Sequence, residues 1–174
     1  PAVAVTALVR SELPLPRRSG IKVRPTDGRS GVSTLRDDSA DLVIVDAFAQ
    51  AKVPAALATV AFFADLARVV GPSGTVALNL TDRAPFGWTR RVLAGIRTAL
   101  PEVLLTAEPA TLRAKRLGNL VVVASRGTVP LAELRQRATT AAAPYRVLDT
   151  RAVSDSFGGG TPFTDADAEP SPAP

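Results

Sequence analysis

Asp41-Leu42-Val43-Ile44-Val45-Asp46 sets four consecutive apolar residues between two carboxylates. A short apolar run of this kind predicts a strand buried on both faces, the pattern of a parallel sheet. An Ala-rich loop with Lys52 and Pro54 follows it. Next comes a predicted helix from Ala55 to Val70, with Leu57, Val60, Phe63, Ala64 and Ala67 on one stripe. Gly71-Pro72-Ser73-Gly74 ends that helix through the Gly and Pro chemistry of helix C-termini. Thr75 to Leu80 then reads as a second buried strand.

The same alternation extends in both directions. Downstream, Pro85 to Leu100 reads as a helix with Trp88, Val92 and Ile96 spaced to pack inward. Glu102 to Glu108 and Asn119 to Ser125 read as strands, joined by a basic turn or hairpin connection over Pro109 to Gly118. Pro130 opens a helix where its missing N–H costs nothing, and Tyr145 to Leu148 is a last short strand. Upstream, Val5, Leu8, Val9 and Leu13 give Ala2 to Leu13 the spacing of an amphipathic helix, stopped by Pro14 and Pro16. Ile21 to Thr26 is a strand candidate closed by the Asp27-Gly28 turn signal, and Ser30 to Arg36 a helical turn. Helices alternating with strands predict an α/β sandwich around a mostly parallel sheet.

Composition narrows the chemistry. The chain has no Cys and no His, which removes disulfides, thiolate nucleophiles, zinc–sulfur sites and the usual general base. Catalysis would fall to carboxylates, hydroxyls, Lys, Arg or the single Tyr145, and no metal site is expected. No apolar run approaches the roughly 20 residues needed to cross a bilayer, and a cytoplasmic protein is expected.

Charge is unevenly placed. From Ala152 onward there is no Lys or Arg but four acids, so the body before it carries 21 basic and 12 acidic groups, a net of +9. The pairs Arg17/Arg18 and Arg90/Arg91 and the set Arg113/Lys115/Arg116 are dispersed without interleaved aromatics. A solvated surface therefore explains them better than a nucleic-acid interface. Gly158-Gly159-Gly160 and the Pro, Asp, Ala and Ser after it predict a flexible acidic tail over residues 152–174, leaving 1–151 as the folded part.

Three segments together resemble the spermidine synthases and related polyamine aminopropyltransferases, which have the class I methyltransferase fold. They are Asp41 to Phe48 with the helix containing Phe62-Phe63, Leu66 to Leu80 around Gly71-Pro72-Ser73-Gly74, and Gly118-Asn119-Leu120 with its strand. Pro162-Phe163-Thr164-Asp165 is similar to the family's C-terminal ending. The resemblance implies a partial Rossmann-like class I methyltransferase fold, an S-adenosylmethionine or decarboxylated S-adenosylmethionine cofactor, and aminopropyl or methyl transfer to a small molecule. It implies Asp46 as the catalytic-loop acid, and Asp27, Gly28 and Asp46 as cofactor-binding residues. Against this, Asp27-Gly28 alone also reads as a tight turn, and Asp46 as a strand-terminal acid capping a loop. Asn79, Asp82 and Arg83 read at least as well as surface-turn residues as cleft-facing ones, and Lys52, in the loop after Asp46, reads better as a solvated side chain.

The sequence also departs from the family. The glycine loop that cradles the cofactor and the acid that grips its ribose have no counterpart here, and Pro1-Ala2-Val3 resembles the segment just after that acid. Ala49 stands where the family places a second acid for its polyamine. The expectation is an incomplete domain, inactive alone, whose open strand edges favour a homo-oligomer or an N-terminal partner segment. The alternative is a degenerate, non-catalytic domain that works by packing.

Overall fold

The structure, a computed structural model, describes residues 3–14, 16, 18–142 and 145–173. Pro1, Ala2 and Arg17, which enter the readings above, lie outside them. Five strands form one sheet: β1 (Leu42–Val45), β2 (Thr75–Asp82), β3 (Glu102–Ala107), β4 (Gly118–Ser125) and β5 (Arg146–Leu148). Their order is β1-β2-β4-β3-β5.

Only β1 and β2 pair in parallel, and the other three pairings are antiparallel. The α/β class holds, but the mostly parallel sheet expected from alternation is corrected. The reason lies in β4. The helix-linked strands β1, β2 and β3 do share a direction, since β2 and β3 are both antiparallel to β4. Instead of extending the edge, β4 inserts between β2 and β3 and separates two strands that alternation would have made neighbours.

Three helices cover one face: α3 (Val60–Val70), α4 (Gly87–Arg97) and α7 (Thr150–Phe157). Alternate residues of the strands (Val76, Leu78 and Leu80; Leu120, Val122 and Ala124; Val103, Leu105 and Ala107) meet them in the core. Thr59 caps α3, its hydroxyl accepting from the Phe62 N–H at 3.3 Å. The helix ends at Gly71, which has φ 63°, and a Cβ there would lie 2.1 Å from Asp38 Oδ1. Both conformation and space therefore demand glycine at this position. Buried Asp82 caps α4, its Oδ2 accepting from the Thr89 N–H at 3.0 Å and the Thr89 hydroxyl at 2.8 Å. The opposite face is only partly covered. There α6 (Leu131–Thr140) overhangs an apolar crevice with Leu134 and Ala138, following the short α5 (Pro109–Leu112).

Two expectations at the ends of the chain are overturned. Ile21 to Thr26 is extended but joins no strand, leaving Ile21 and Val23 exposed. Lys22 and Arg24 alternate with its apolar residues, and Pro25 supplies no N–H to a ladder. The upstream helix α1 (Val3–Glu12) forms but buries none of its residues.

The flexible tail expected from residue 152 onward is instead α7 followed by a strap packed on the body. Val153, Phe157 and Phe163 are buried. Ser171 brackets Val53 with two hydrogen bonds, and the Trp88 indole N–H donates to the Glu169 carbonyl at 2.9 Å. Polar composition concealed a few widely spaced apolar anchors whose partners lie far away in sequence.

Candidate functional site

Asp27 precedes the six-residue helix α2 (Gly28–Ser33) as its N-cap, and its Oδ1 accepts from the Ser30 N–H at 2.9 Å. That bond holds the carboxyl below its ordinary range, because it favours the charged form. The Asp-Gly pair is thus a helix start rather than a tight turn. Gly28 has ample room, since a Cβ would make ordinary contact with Leu57 at 3.7 Å. Its backbone faces the cleft without being sterically required to be glycine.

Asp46 follows β1 at its carboxyl end, where open α/β sheets bind ligands. Its Oδ1 accepts from Asn79 Nδ2 at 3.0 Å, so the amide on β2 fixes the orientation of the acid. Asn79 Oδ1 is buried without a hydrogen-bond partner among the described residues. Asp27, Gly28 and Asp46 all line one cleft of about 470 Å³, together with Ala47, Phe48 and Leu57. The three residues singled out from the sequence therefore converge, and Asn79 joins them through Asp46.

Beyond Asp46 the chain makes a two-residue hairpin, with Ala49 and Lys52 exchanging backbone hydrogen bonds at 2.8 and 3.0 Å. Gln50 and Ala51, at its tip, both have positive φ, 52° and 60°. Such turns favour Asn-Gly, so this loop holds two side chains in a conformation that costs each of them energy. Asp82 does not face the cleft; it is buried as the α4 cap described above.

Arg29 was not singled out from the sequence, yet it lines the same cleft and ties it together. Its Nη1 donates to the Ala56 carbonyl at 2.9 Å, to the Thr59 hydroxyl at 2.8 Å and to Asp165 Oδ1 at 3.0 Å. Its Nη2 reaches Asp165 Oδ2 at 2.9 Å. The resemblance of Pro162 to Asp165 to a family ending was the only trace of this link in the sequence. Arg90 and Arg91, counted above among the basic groups, likewise face the strap. Arg90 donates to the Ser156 and Gly158 carbonyls, while Arg91 pairs with Asp167 and stacks on Phe163 at 3.8 Å.

No protein-family model matches the sequence, and no curated protein does. Among solved structures, one of a probable spermidine synthase from Corynebacterium glutamicum superposes with a TM-score of 0.83 at 25% identity. The match covers 93% of this chain and 61% of that one, so this chain spans less than two thirds of the other's length. Human methyltransferase-like protein 13, solved in complex with SAH, matches with a TM-score of 0.54 at 16% identity, covering 88% of this chain and 67% of that one. The chain thus has a spermidine-synthase-like class I methyltransferase fold.

Proposed function

We propose that the cleft is part of a transferase site that holds an S-adenosyl cofactor, either S-adenosylmethionine or its decarboxylated form, beside a small-molecule acceptor. One observation carries this reading. Asp27 and Asp46 lie on separate elements but line one cleft at the carboxyl end of β1, within a spermidine-synthase-like fold.

The donor set suits such a group. A carboxylate at Asp27 can accept from an exocyclic amine, and a second at Asp46 complements a positive centre. The cleft volume falls within the roughly 300–1,000 Å³ usual for ligand sites. When bound, the cofactor supplies a carbon activated by its sulfonium sulfur. Asp46 orients the acceptor for in-line attack on that carbon and takes up the proton the acceptor loses. A cofactor held beside Asp27 and Asp46 would supply the leaving group as well, its sulfur departing as a thioether with the electron pair of the broken carbon–sulfur bond. Asn79 acts by holding Asp46 in place.

Ala49 in place of an acid and a net charge of +5 make the cleft a poor trap for a polycation. The acceptor is accordingly a neutral or less highly charged nucleophile. We further propose that the chain is inactive alone. The edge of β1 opposite β2, unpaired among the described residues, also favours a second reading, a non-catalytic domain that works by packing against a partner.

Calorimetric titration of S-adenosylmethionine, its decarboxylated form and methylthioadenosine tests the main reading. Saturable binding weakened by Asp46→Ala supports it. No binding to a sample with a cooperative melt rules it out and leaves the packing reading.

A further inference from the structure

A second cavity, of about 480 Å³, lies beyond the carboxyl ends of β2 and β3 and shares no lining residue with the Asp27–Asp46 cleft. Its position follows from the sheet. Because β4 separates β2 from β3, the loops that leave those two strands are held apart. Pro85 and Phe86 come from the first loop, Leu112 and Ala114 from the second, and Arg146 and Ser156 close the gap from β5 and α7. Crevices at the carboxyl ends of strands, where neighbouring loops diverge, are where open α/β sheets bind ligands.

The lining carries two guanidiniums, Arg90 and Arg146, and no carboxylate. They are engaged differently. Arg90 donates from Nε, Nη1 and Nη2 to the Pro85, Gly158 and Ser156 carbonyls, at 3.3, 2.8 and 2.9 Å. Neutral carbonyls fix its position but leave its charge uncancelled. The Arg146 guanidinium makes no ion pair or hydrogen bond among the described residues, so its planar fork of donors is free. The apolar wall is built from Phe86 and Phe157, whose ring centroids lie 5.3 Å apart, and from Leu148. Backbone strain marks the same place. Phe86 and Ala114, on the two separate loops, both have φ 61°, a left-handed conformation that costs a side chain energy. Ala114 is exposed, so burial does not offset that cost. Strain of this kind clusters at ligand sites.

We propose that this cavity binds a small aryl carboxylate, with the carboxylate on the Arg146 fork and the ring against the Phe86–Phe157 wall. The lining selects this class. Two positive charges without an acid exclude cations and draw in anions. One free guanidinium matches one planar carboxylate through two parallel hydrogen bonds. The apolar wall favours a ring over a fully hydrated inorganic anion, to which it offers no donor. Since the two cavities share no residue, this inference does not rest on the transferase reading of the Asp27–Asp46 cleft.

Calorimetric titration of naphthoate and of its neutral counterpart naphthamide tests the proposal. Naphthoate should bind saturably, and naphthamide about tenfold more weakly, because it lacks the charge-assisted bonds. Arg146→Gln should weaken naphthoate by about tenfold as well. Its thermal melt should match wild type, since Arg146 is exposed on an edge strand. Arg137→Gln is the control: it removes the same charge from the apolar crevice beneath α6 and should bind naphthoate as wild type does. Absence of saturable naphthoate binding overturns the proposal, as does equal affinity for the amide. A loss of affinity in Arg137→Gln but not in Arg146→Gln also overturns it, by moving the anion to the other crevice.

Discussion

The Arg29 guanidinium grips the Asp165 carboxylate with two nitrogens, at 3.0 and 2.9 Å, joining residues separated by 136 positions. The same guanidinium also serves the buried Thr59 hydroxyl, which caps α3, and the Ala56 carbonyl. One side chain thus binds the strap, the start of α3 and the cleft-lining α2 into a unit.

Removing either partner should therefore have unequal effects. Arg29→Ala leaves Thr59, Ala56 and Asp165 without their donor and should cost about 1–2 kcal/mol of stability. Asp165→Ala removes one acceptor from an Arg that retains two others, so the melting midpoint should fall by less. Thermal melts of the two variants check the order, and equal losses would mean that the bonds to Thr59 and Ala56 contribute little.

The strap should also weaken in acid. Asp167 is held down to about 2 from 3.8, first by the Thr164 hydroxyl, then by the Thr164 N–H and Arg91. Asp165 is lowered by Arg29 and Thr59. Carboxyls depressed in the folded state stabilise it fully above their unfolded value, and that contribution is lost as pH falls through the folded one. The loss should lie between pH 3.8 and about 2. Trp88, which donates to the Glu169 carbonyl, provides a fluorescence probe of strap release in this window. Asp167→Asn should flatten the pH dependence; an unchanged acid transition in that variant would show that other carboxyls govern it.

How far these features could be read in advance depends on the range of the forces that make them. The β1 run and the Gly71 stop are local patterns and appear where they are predicted, but Leu42 and Ile44 are exposed rather than buried. The α3 helix begins at Val60 behind a separate 3-10 turn over residues 55–57, burying Phe62, Leu66 and Val69 and leaving Ala64 of the predicted stripe exposed. The convergence of Asp27 with Asp46 came through a family resemblance, not through spacing. The insertion of β4 and the docking of the strap depend on contacts between distant segments. Phe163 stands alone in a polar stretch, and nothing local reveals that Trp88 and Arg91 await it. Arg29 reads as one of 18 arginines until Asp165 is placed beside it.

The hairpin beside Asp46 offers a stabilising test. Gln50 and Ala51 occupy left-handed backbone positions that cost a side chain on the order of 1 kcal/mol each. Replacing the pair by Asn-Gly, which suits this turn, should raise stability by about 1–2 kcal/mol, or several degrees in Tm for a chain of this size. If the strained loop serves the site, the same change should weaken ligand binding despite the gain. A lower Tm would mean that the turn relaxes differently in solution.

Asp27 carries two roles that a pair of substitutions can separate. Its carboxylate caps α2 through the Ser30 N–H, and the proposed function also asks it to accept from the cofactor. Asp27→Ser keeps a capping oxygen but loses the charge, whereas Asp27→Ala loses both. Asp27→Ser should melt close to wild type and Asp27→Ala lower, while both should lose affinity for the S-adenosyl compounds in calorimetry. Unimpaired binding by a stable Asp27→Ser variant would reduce Asp27 to a helix cap and leave Asp46 as the sole acid of the site.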